Sequence, residues 1–177
     1  MLPRLTHVQA SVLTSSGIIF MSETTPLLVF YLDGQGYALA LEVVERVVRA
    51  AEITPLPQAP EIVWGALDVE GEVLPVLNVR RRFQLVERPI GPSEQFLIAR
   101  AGGRRVILVI DSAREVVEAL SADITSAAAI TPGLVQFRGV VRMKDGLVLI
   151  HDLERFLSLE ESAALEKALD AEALHEN

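Results

Sequence analysis

The sequence predicts an all-β protein: two small antiparallel barrels that share a core, followed by one C-terminal α-helix. Two observations predict the barrels. Apolar and β-branched runs recur at short intervals with Gly-containing turns between them, and the second half of the chain repeats the pattern of the first. A third predicts the helix, because only the segment after Leu157 carries both a start signal and helical spacing.

In order, Leu27–Asp33 is the first strand, Gly34-Gln35-Gly36 the turn and Tyr37–Leu41 the second strand. Val43–Val48 is a third apolar stretch with Glu45 and Arg46 in its middle. Ile53-Thr54-Pro55-Leu56-Pro57-Gln58-Ala59-Pro60 follows. Its prolines lack the N–H that a ladder or helix needs, so it is neither a central strand nor a helix. Val63–Val69 and Glu72–Leu77 flank the tight turn Glu70-Gly71, and Pro75 is read as a strand-edge proline whose missing N–H faces no partner. Asn78–Phe83 predicts one helical turn with Arg80, Arg81 and Arg82 outward. Residues 84–94, with two prolines, a glycine and mixed charge, read as a linker.

After the linker the pattern restarts. Gln95–Arg100 and Arg104–Asp111 flank Gly102-Gly103, a strong hairpin signal because glycine takes positive φ freely. Glu115–Leu120 is another short strand, and an Ala/Ser/Thr-rich loop then runs to Gly133. Val135–Met143 and Leu147–Ile150 flank Lys144-Asp145-Gly146. The helix is expected over Leu159–Leu174: Ser158 and Glu161 form a capping box, and Leu165 and Leu169 share a face.

A shift of 69 residues aligns Leu28-Val29 with Leu97-Ile98, Gly34 with Gly103 and Val47-Val48 with Val116-Val117. It also aligns Leu39-Ala40-Leu41-Glu42 with Leu108-Val109-Ile110-Asp111. A shift of 74 aligns Gly65 with Gly139, Val73 with Leu147, Asn78 with Asp152 and Arg81 with Arg155. Each half reads as hairpin, apolar strand, loop, hairpin and helical turn. A unit of that size is too small to stand alone, so the copies are expected to pack on each other. The predicted organisation is an N-terminal extension over 1–24 that packs poorly, with Met21 as the functional start. One domain over 25–157 follows, with intertwined subdomains at about 25–85 and 95–157. A helix and tail occupy 158–177.

Composition narrows the function. Half of the 177 residues are hydrophobic and 23% charged, enough to bury a core. The formal net charge of -8 argues against nucleic acid, which needs clustered Lys and Arg, and against an anionic membrane surface. Zero cysteines excludes disulfides, thiolate metal sites and a Cys nucleophile, and fits a reducing compartment. No apolar run approaches the roughly 20 residues of a membrane helix, and Met1–Phe20 lacks the dense apolar core of a signal peptide. A cytoplasmic protein is expected.

Catalytic signals are weak. Of the histidines, His7 and His175 lie near the termini. His151 precedes Asp152, but adjacent strand residues point to opposite faces and do not share a pocket easily. No G-x-S-x-G elbow, H-E-x-x-H or paired Cys/His spacing occurs. Gly34-x-Gly36 and Gly102-Gly103 lie in hairpins and open no helix, so neither cradles phosphate. Asp111 ends an apolar strand as a phospho-acceptor does, but without the acidic pair or strand-end Lys that chemistry requires. No enzyme, cofactor or metal is expected.

Several motifs, in this order, resemble the CheW family of chemotaxis coupling proteins. They are Phe30-Tyr31-Leu32 before the Gly-rich hairpin and Tyr37, the Pro-rich segment from Ile53 to Pro60, and the run from Val63 to Arg80. Val109-Ile110-Asp111 and Leu149-Ile150-His151-Asp152-Leu153 complete the set. The likeness covers roughly Leu27 to Leu157, and its specific part is the Pro-rich segment combined with G-x(5)-G-x-x-x-P. The resemblance implies two SH3-like five-stranded antiparallel β-barrel subdomains around a common core and no catalytic activity. It also implies two binding surfaces. One engages the CheW-like regulatory domain of a CheA-type histidine kinase, and the other the cytoplasmic tip of methyl-accepting chemoreceptors. A scaffold of a non-motility chemosensory-like pathway is the alternative.

The family's receptor groove lies between the barrels, and residue-by-residue matching puts Val44 and Val116 on its lining. An ordinary core position is the plainer alternative for each. This chain also departs from the pattern. The family's N-x-R-G hairpin reads Asp68-Val69-Glu70-Gly71 here, and Arg46 stands where the family usually carries Glu. Both charges are reversed together, so Arg46 and Glu70 are expected to form the same ion pair with swapped polarity at the groove edge. Two independent surface charges are the alternative. Leu108 replaces a frequent Gly before V-V-D, which suggests tighter local filling.

Overall fold

Four hairpins organise the chain, and their turns show why they form where they do. The computed structural model describes residues 23–130 and 136–173, with side chains through Ala171. Strands β1 (Thr24–Leu32) and β2 (Gln35–Ala40) meet at Asp33-Gly34, β4 (Val63–Val69) and β5 (Glu72–Leu77) at Glu70-Gly71, and β6 (Gln95–Ala101) and β7 (Arg104–Ile110) at Gly102-Gly103. Both turn residues have positive φ in all three, the geometry whose twist matches the flanking strands. The first turn differs from expectation, because Leu32 pairs with Gln35 and so Gln35 and Gly36 belong to β2. The fourth hairpin joins β10 (Phe137–Met143) to β11 (Gly146–His151).

With β3 (Val44–Arg49), β8 (Ser112–Leu120) and β9 (Ile124–Ser126), the strands form two sheets. The six-stranded sheet has the order β8-β1-β2-β11-β10-β9 and the five-stranded sheet β3-β6-β7-β5-β4. Among the described residues neither closes by a strand-to-strand ladder, and the β2–β11 and β5–β7 joins are parallel, where antiparallel pairing alone is expected. The repeat is present strand for strand: β1, β2, β8, β11 and β10 occupy the places of β6, β7, β3, β5 and β4. The halves exchange their first hairpins, however. The six-stranded sheet takes β1–β2 from the first half and the rest from the second, and the five-stranded sheet does the converse. Each sheet therefore draws strands from both 25–85 and 95–157.

The equivalence reaches into the connecting segments. Thr54 bridges Ala66 as Thr125 pairs with Val140, but only the second bridge grows into a strand. The segment expected to be a loop from Ser121 to Gly133 thus contains β9 and a short helix, α2 (Ala127–Ile130). Gly65 and Gly139 sit at the matching bulges, where an added Cβ would lie 2.2 Å from the Thr54 carbonyl oxygen and 2.5 Å from that of Thr125.

Hairpin exchange explains the continuous apolar runs. Leu28, Phe30, Leu32, Leu97, Ala99, Val106, Leu108 and Ile110 face a core shared by the two sheets. The alternating residues Leu27, Val29 and Ala38 face the interior of the six-stranded sheet, and Phe96, Ile98, Ile107 and Val109 that of the five-stranded one. A strand buried on both faces needs apolar residues at every position. Helix α3 (Leu159–Ala173) seals one side with Leu165 and Ala168. Its capping box forms as expected: Glu161 N–H donates to Ser158 Oγ (3.1 Å) and Ser158 N–H to Glu161 Oε2 (2.7 Å). Among the described residues no helix is long and apolar enough to cross a membrane. The expectations for 1–22, for the end of the loop and the start of the next strand over 131–135, and for 174–177 lie outside the described residues.

Candidate functional site

Val44 and Val116 fall on β3 and β8, the equivalent edge strands of the two sheets. Val44 opposes Ala99, is half-buried and packs against the shared core. Val116 opposes Leu28 but is 51% exposed, which is unusual for a large apolar side chain on a strand beside the core. Arg46 Nη1 lies 2.9 Å from Glu70 Oε1, with both side chains largely in solvent. Glu70 is held for this contact by its positive φ in the hairpin turn, which Asp68 braces by accepting from Gly71 N–H (2.9 Å). The pair links edge strand β3 to the β4–β5 turn across the open side of the five-stranded sheet.

A second cluster completes that closure. Arg105 on β7 is held between Glu45 of β3 (2.8 Å) and Glu72 of β5 (2.5 Å), and Arg100 also reaches Glu45 (3.2 Å). The Arg105 hydrogen bond holds the Glu45 carboxyl below the usual carboxylate range, and the two acids raise the Arg105 pKa. The six-stranded sheet places Glu115 and Lys144 where Arg46 and Glu70 stand, Gly36 where Arg105 stands and Gly146 where Glu72 stands. Two bridging side chains are absent, and among the described residues Glu115 and Lys144 make no ion pair. A furrow of about 870 Å³ opens there instead, between β8 and the β10–β11 hairpin. Its floor includes Val29, Tyr31, Val117, Val141 and Val148, and Glu115, Glu118, Arg142 and Lys144 line its rims. Val44, Arg46, Glu70 and Val116 are not part of it. The repeat itself carried a signal for this furrow, since its shifts carry Arg105 to Gly36 and Glu72 to Gly146.

The charged turn after β5 corrects one expectation. Asn78 caps α1 (Val79–Arg82) by accepting from Arg81 N–H (3.0 Å), and this aims Arg80 inward, not outward. Its guanidinium is buried against Asp33 (2.6 Å) and Asp111 (2.6 Å), and Arg88 joins the knot at 2.9 Å from Asp111 and 3.1 Å from Glu94. The Arg80 hydrogen bond holds the Asp33 carboxyl below its ordinary value. Asp33 belongs to the β1–β2 turn of one sheet and Asp111 follows β7 of the other, so the knot ties the sheets together at one end. Asp111 is thereby committed to structure.

His151 is buried among Phe83, Phe137 and Phe156, with ring centroids 4.9–5.4 Å away. Among the described residues neither ring nitrogen has a hydrogen-bond partner, and burial lowers its pKa to about 4 despite the pull of Asp152. The Asp152 carboxylate turns to Arg155 instead (3.5 Å). Among the described residues no group of three or more His, Asp or Glu side chains is placed to hold a metal ion.

Comparisons with known proteins follow the same outline. Residues 26–161 match the family model described as the CheW-like domain. The chemotaxis protein CheW of Treponema pallidum is 24% identical over 145 residues, covering 78% of this chain and 85% of the relative. That of Bacillus subtilis is 25% identical over 141 residues, covering 77% and 88%. Protein FrzA of Myxococcus xanthus is 37% identical over 71 residues, 40% of this chain and 44% of FrzA. Among solved structures, the scaffolding protein TtCheW of Thermoanaerobacter tengcongensis has the same fold at a TM-score of 0.71 and 24% identity, over 78% of this chain and 96% of that one.

Proposed function

The chain belongs to the family of CheW-like domains, and from that premise we propose that it is a non-catalytic scaffold coupling methyl-accepting chemoreceptors to a CheA-type histidine kinase in chemotaxis. The observation that carries this reading is the family match over residues 26–161, supported by relatives named chemotaxis protein CheW. It acts in the cytoplasm, where receptor tips and kinase meet. The shared core makes two sheets one rigid body, and a rigid body with separable faces can hold two partners in fixed relation. The receptor tip, a helical hairpin, buries apolar side chains between edge strands β3 and β8 against Val44 and Val116. The Arg46–Glu70 pair sets register at the rim, where charges act on rate and specificity more than on affinity. The kinase's regulatory domain takes an exposed sheet edge.

The test is binding of purified chain to a receptor-tip fragment and to the kinase regulatory domain from the same organism. Val44→Glu and Val116→Glu should weaken the receptor fragment at least about tenfold, or about 1.4 kcal/mol, and leave kinase binding unchanged. Failure of both fragments to bind the native chain would end the proposal. A second reading, a scaffold of a non-motility chemosensory-like pathway, is favoured by the swapped polarity of Arg46 and Glu70, which changes the local field offered to a partner. Binding only to a receptor-like protein and hybrid kinase outside the motility set would select it.

A further inference from the structure

The furrow of the six-stranded sheet plays no part in this reading, because Val116 and Val117 point to opposite faces of β8 and only Val117 lines it. We propose that its occupant is this chain's own N-terminal segment, with Gly17-Ile18-Ile19-Phe20 laid across the floor between β8 and the β10–β11 hairpin. Three observations select that guest, and none of them depends on the receptor or the kinase.

The first is where the described residues begin. The Glu23 carbonyl accepts from Ser121 N–H (2.9 Å) and Thr24 pairs with Leu120, so the chain before them departs from the end of β8. Ala119, Leu120 and Asp123, which line the furrow, stand at that same end. From Leu120 back to Glu115 the furrow follows five residues of β8, about 17 Å at strand spacing. From Glu23 back to Gly17 is six residues, a reach of about 20 Å in an extended chain. The tether holds this run over the furrow at an effective concentration of about millimolar, so weak apolar contacts suffice.

The second is the apolar surface that the described residues leave uncovered. Leu120 on one wall and Leu147 on the other both line the furrow and are 41% and 55% exposed. Tyr31, Val117 and Met143 line it too and are only half-buried. The sequence alone predicts that the N-terminal extension packs poorly, and this strip supplies the apolar surface it lacks.

The third is charge. Glu115, Glu118, Asp123 and Asp145 line the furrow together with Arg142 and Lys144. Rims of both signs oppose a strongly charged guest of either sign somewhere along their length. Residues 8–22 contain no Asp, Glu, Lys or Arg, so they meet no like charge and bury no charged group on the floor. A chain begun at Met21 lacks this cover and keeps the furrow open.

The test uses the full chain with isotope-labelled methyl groups. Nuclear Overhauser contacts should join the Ile19 methyl groups to Val117 on one wall and to Leu147 on the other. Ile18→Asp with Phe20→Asp changes no residue of the described core. It should abolish those contacts and shift the Val117 and Leu147 methyl signals, with those of Ile98 and Ile107 in the other sheet unmoved. Gly36→Arg, which places a bulky cation in the furrow, should abolish the same contacts from the opposite side. Mixing differently labelled samples separates a chain's own segment from that of a second copy, and contacts seen only between copies would overturn the proposal. So would contacts with Leu120 alone, which the tether by itself gives, no contacts at all, or contacts that survive either variant.

Discussion

The two sheets are built from one repeat, yet one has a bridged mouth and the other an open one. In the five-stranded sheet large inward residues fill the interior, and Arg46–Glu70 with Glu45–Arg105–Glu72 spans the gap between its outer strands. In the six-stranded sheet two of those bridging positions are glycine, and Leu27, Val29 and Ala38 are smaller than the matching Phe96, Ile98 and Ile107. Apart from β9 the strand order is the same, so side-chain volume and charge at a few positions weigh on whether such a sheet seals or keeps a furrow.

The two ends differ as well. The turn after β5 is locked by the Arg80 knot, whereas Glu154 is exposed at the matching place after β11. Replacing Arg80 by methionine leaves Asp33 and Asp111 facing each other with only Arg88 nearby. The expected loss is about 1–3 kcal/mol, read as a lower urea midpoint, whereas Glu154→Gln should change stability by less than about 0.5 kcal/mol. Equal effects would dissolve the contrast.

His151 occupies the place that Leu77 fills in the first half. The folded ring, with its pKa near 4, stays neutral where the unfolded chain, near 6.5, takes up a proton. Its contribution is therefore complete above about pH 6.5 and lost as pH falls towards 4, by about 3 kcal/mol in all. Unfolding measured across that window should show the slope, and His151→Leu should flatten it. A mutant slope equal to the native one would assign the acid sensitivity elsewhere.

Alanine at Gly65 or Gly139 drives a methyl group into a backbone carbonyl, which cannot step aside as a flexible side chain can. Both substitutions should cost about 1–3 kcal/mol, the Gly65 variant more, because its contact is the shorter. The smallest effect belongs to Arg46 and Glu70. Single charge reversals should cost less than about 1 kcal/mol for so exposed a pair, and the double reversal should restore what the singles lose. A double variant no better than either single would show no coupling.

Features that depend on neighbouring residues are legible in the sequence. Hairpin turns depend on two residues and their φ, so Glu70-Gly71 and Gly102-Gly103 were placed correctly. The helix start depends on Ser158 and Glu161 alone. Arg80 is not legible in the same way, because a run of three arginines looks solvated until Asp33 and Asp111, far away in sequence, are brought beside it. The segment after Ser121 reads as a loop in sequence because β9 has only three residues and exists through its pairing with β10.

By itself the sequence determined the β class, the number of hairpins, the internal repeat and the family, since each rests on patterns within a few residues or on self-similarity. Tertiary structure alone decided which half supplies which strand, that a buried guanidinium ties the sheets and that one mouth stays open. Those outcomes depend on contacts between residues tens of positions apart, where burial and charge pairing are settled only once the chain has closed on itself.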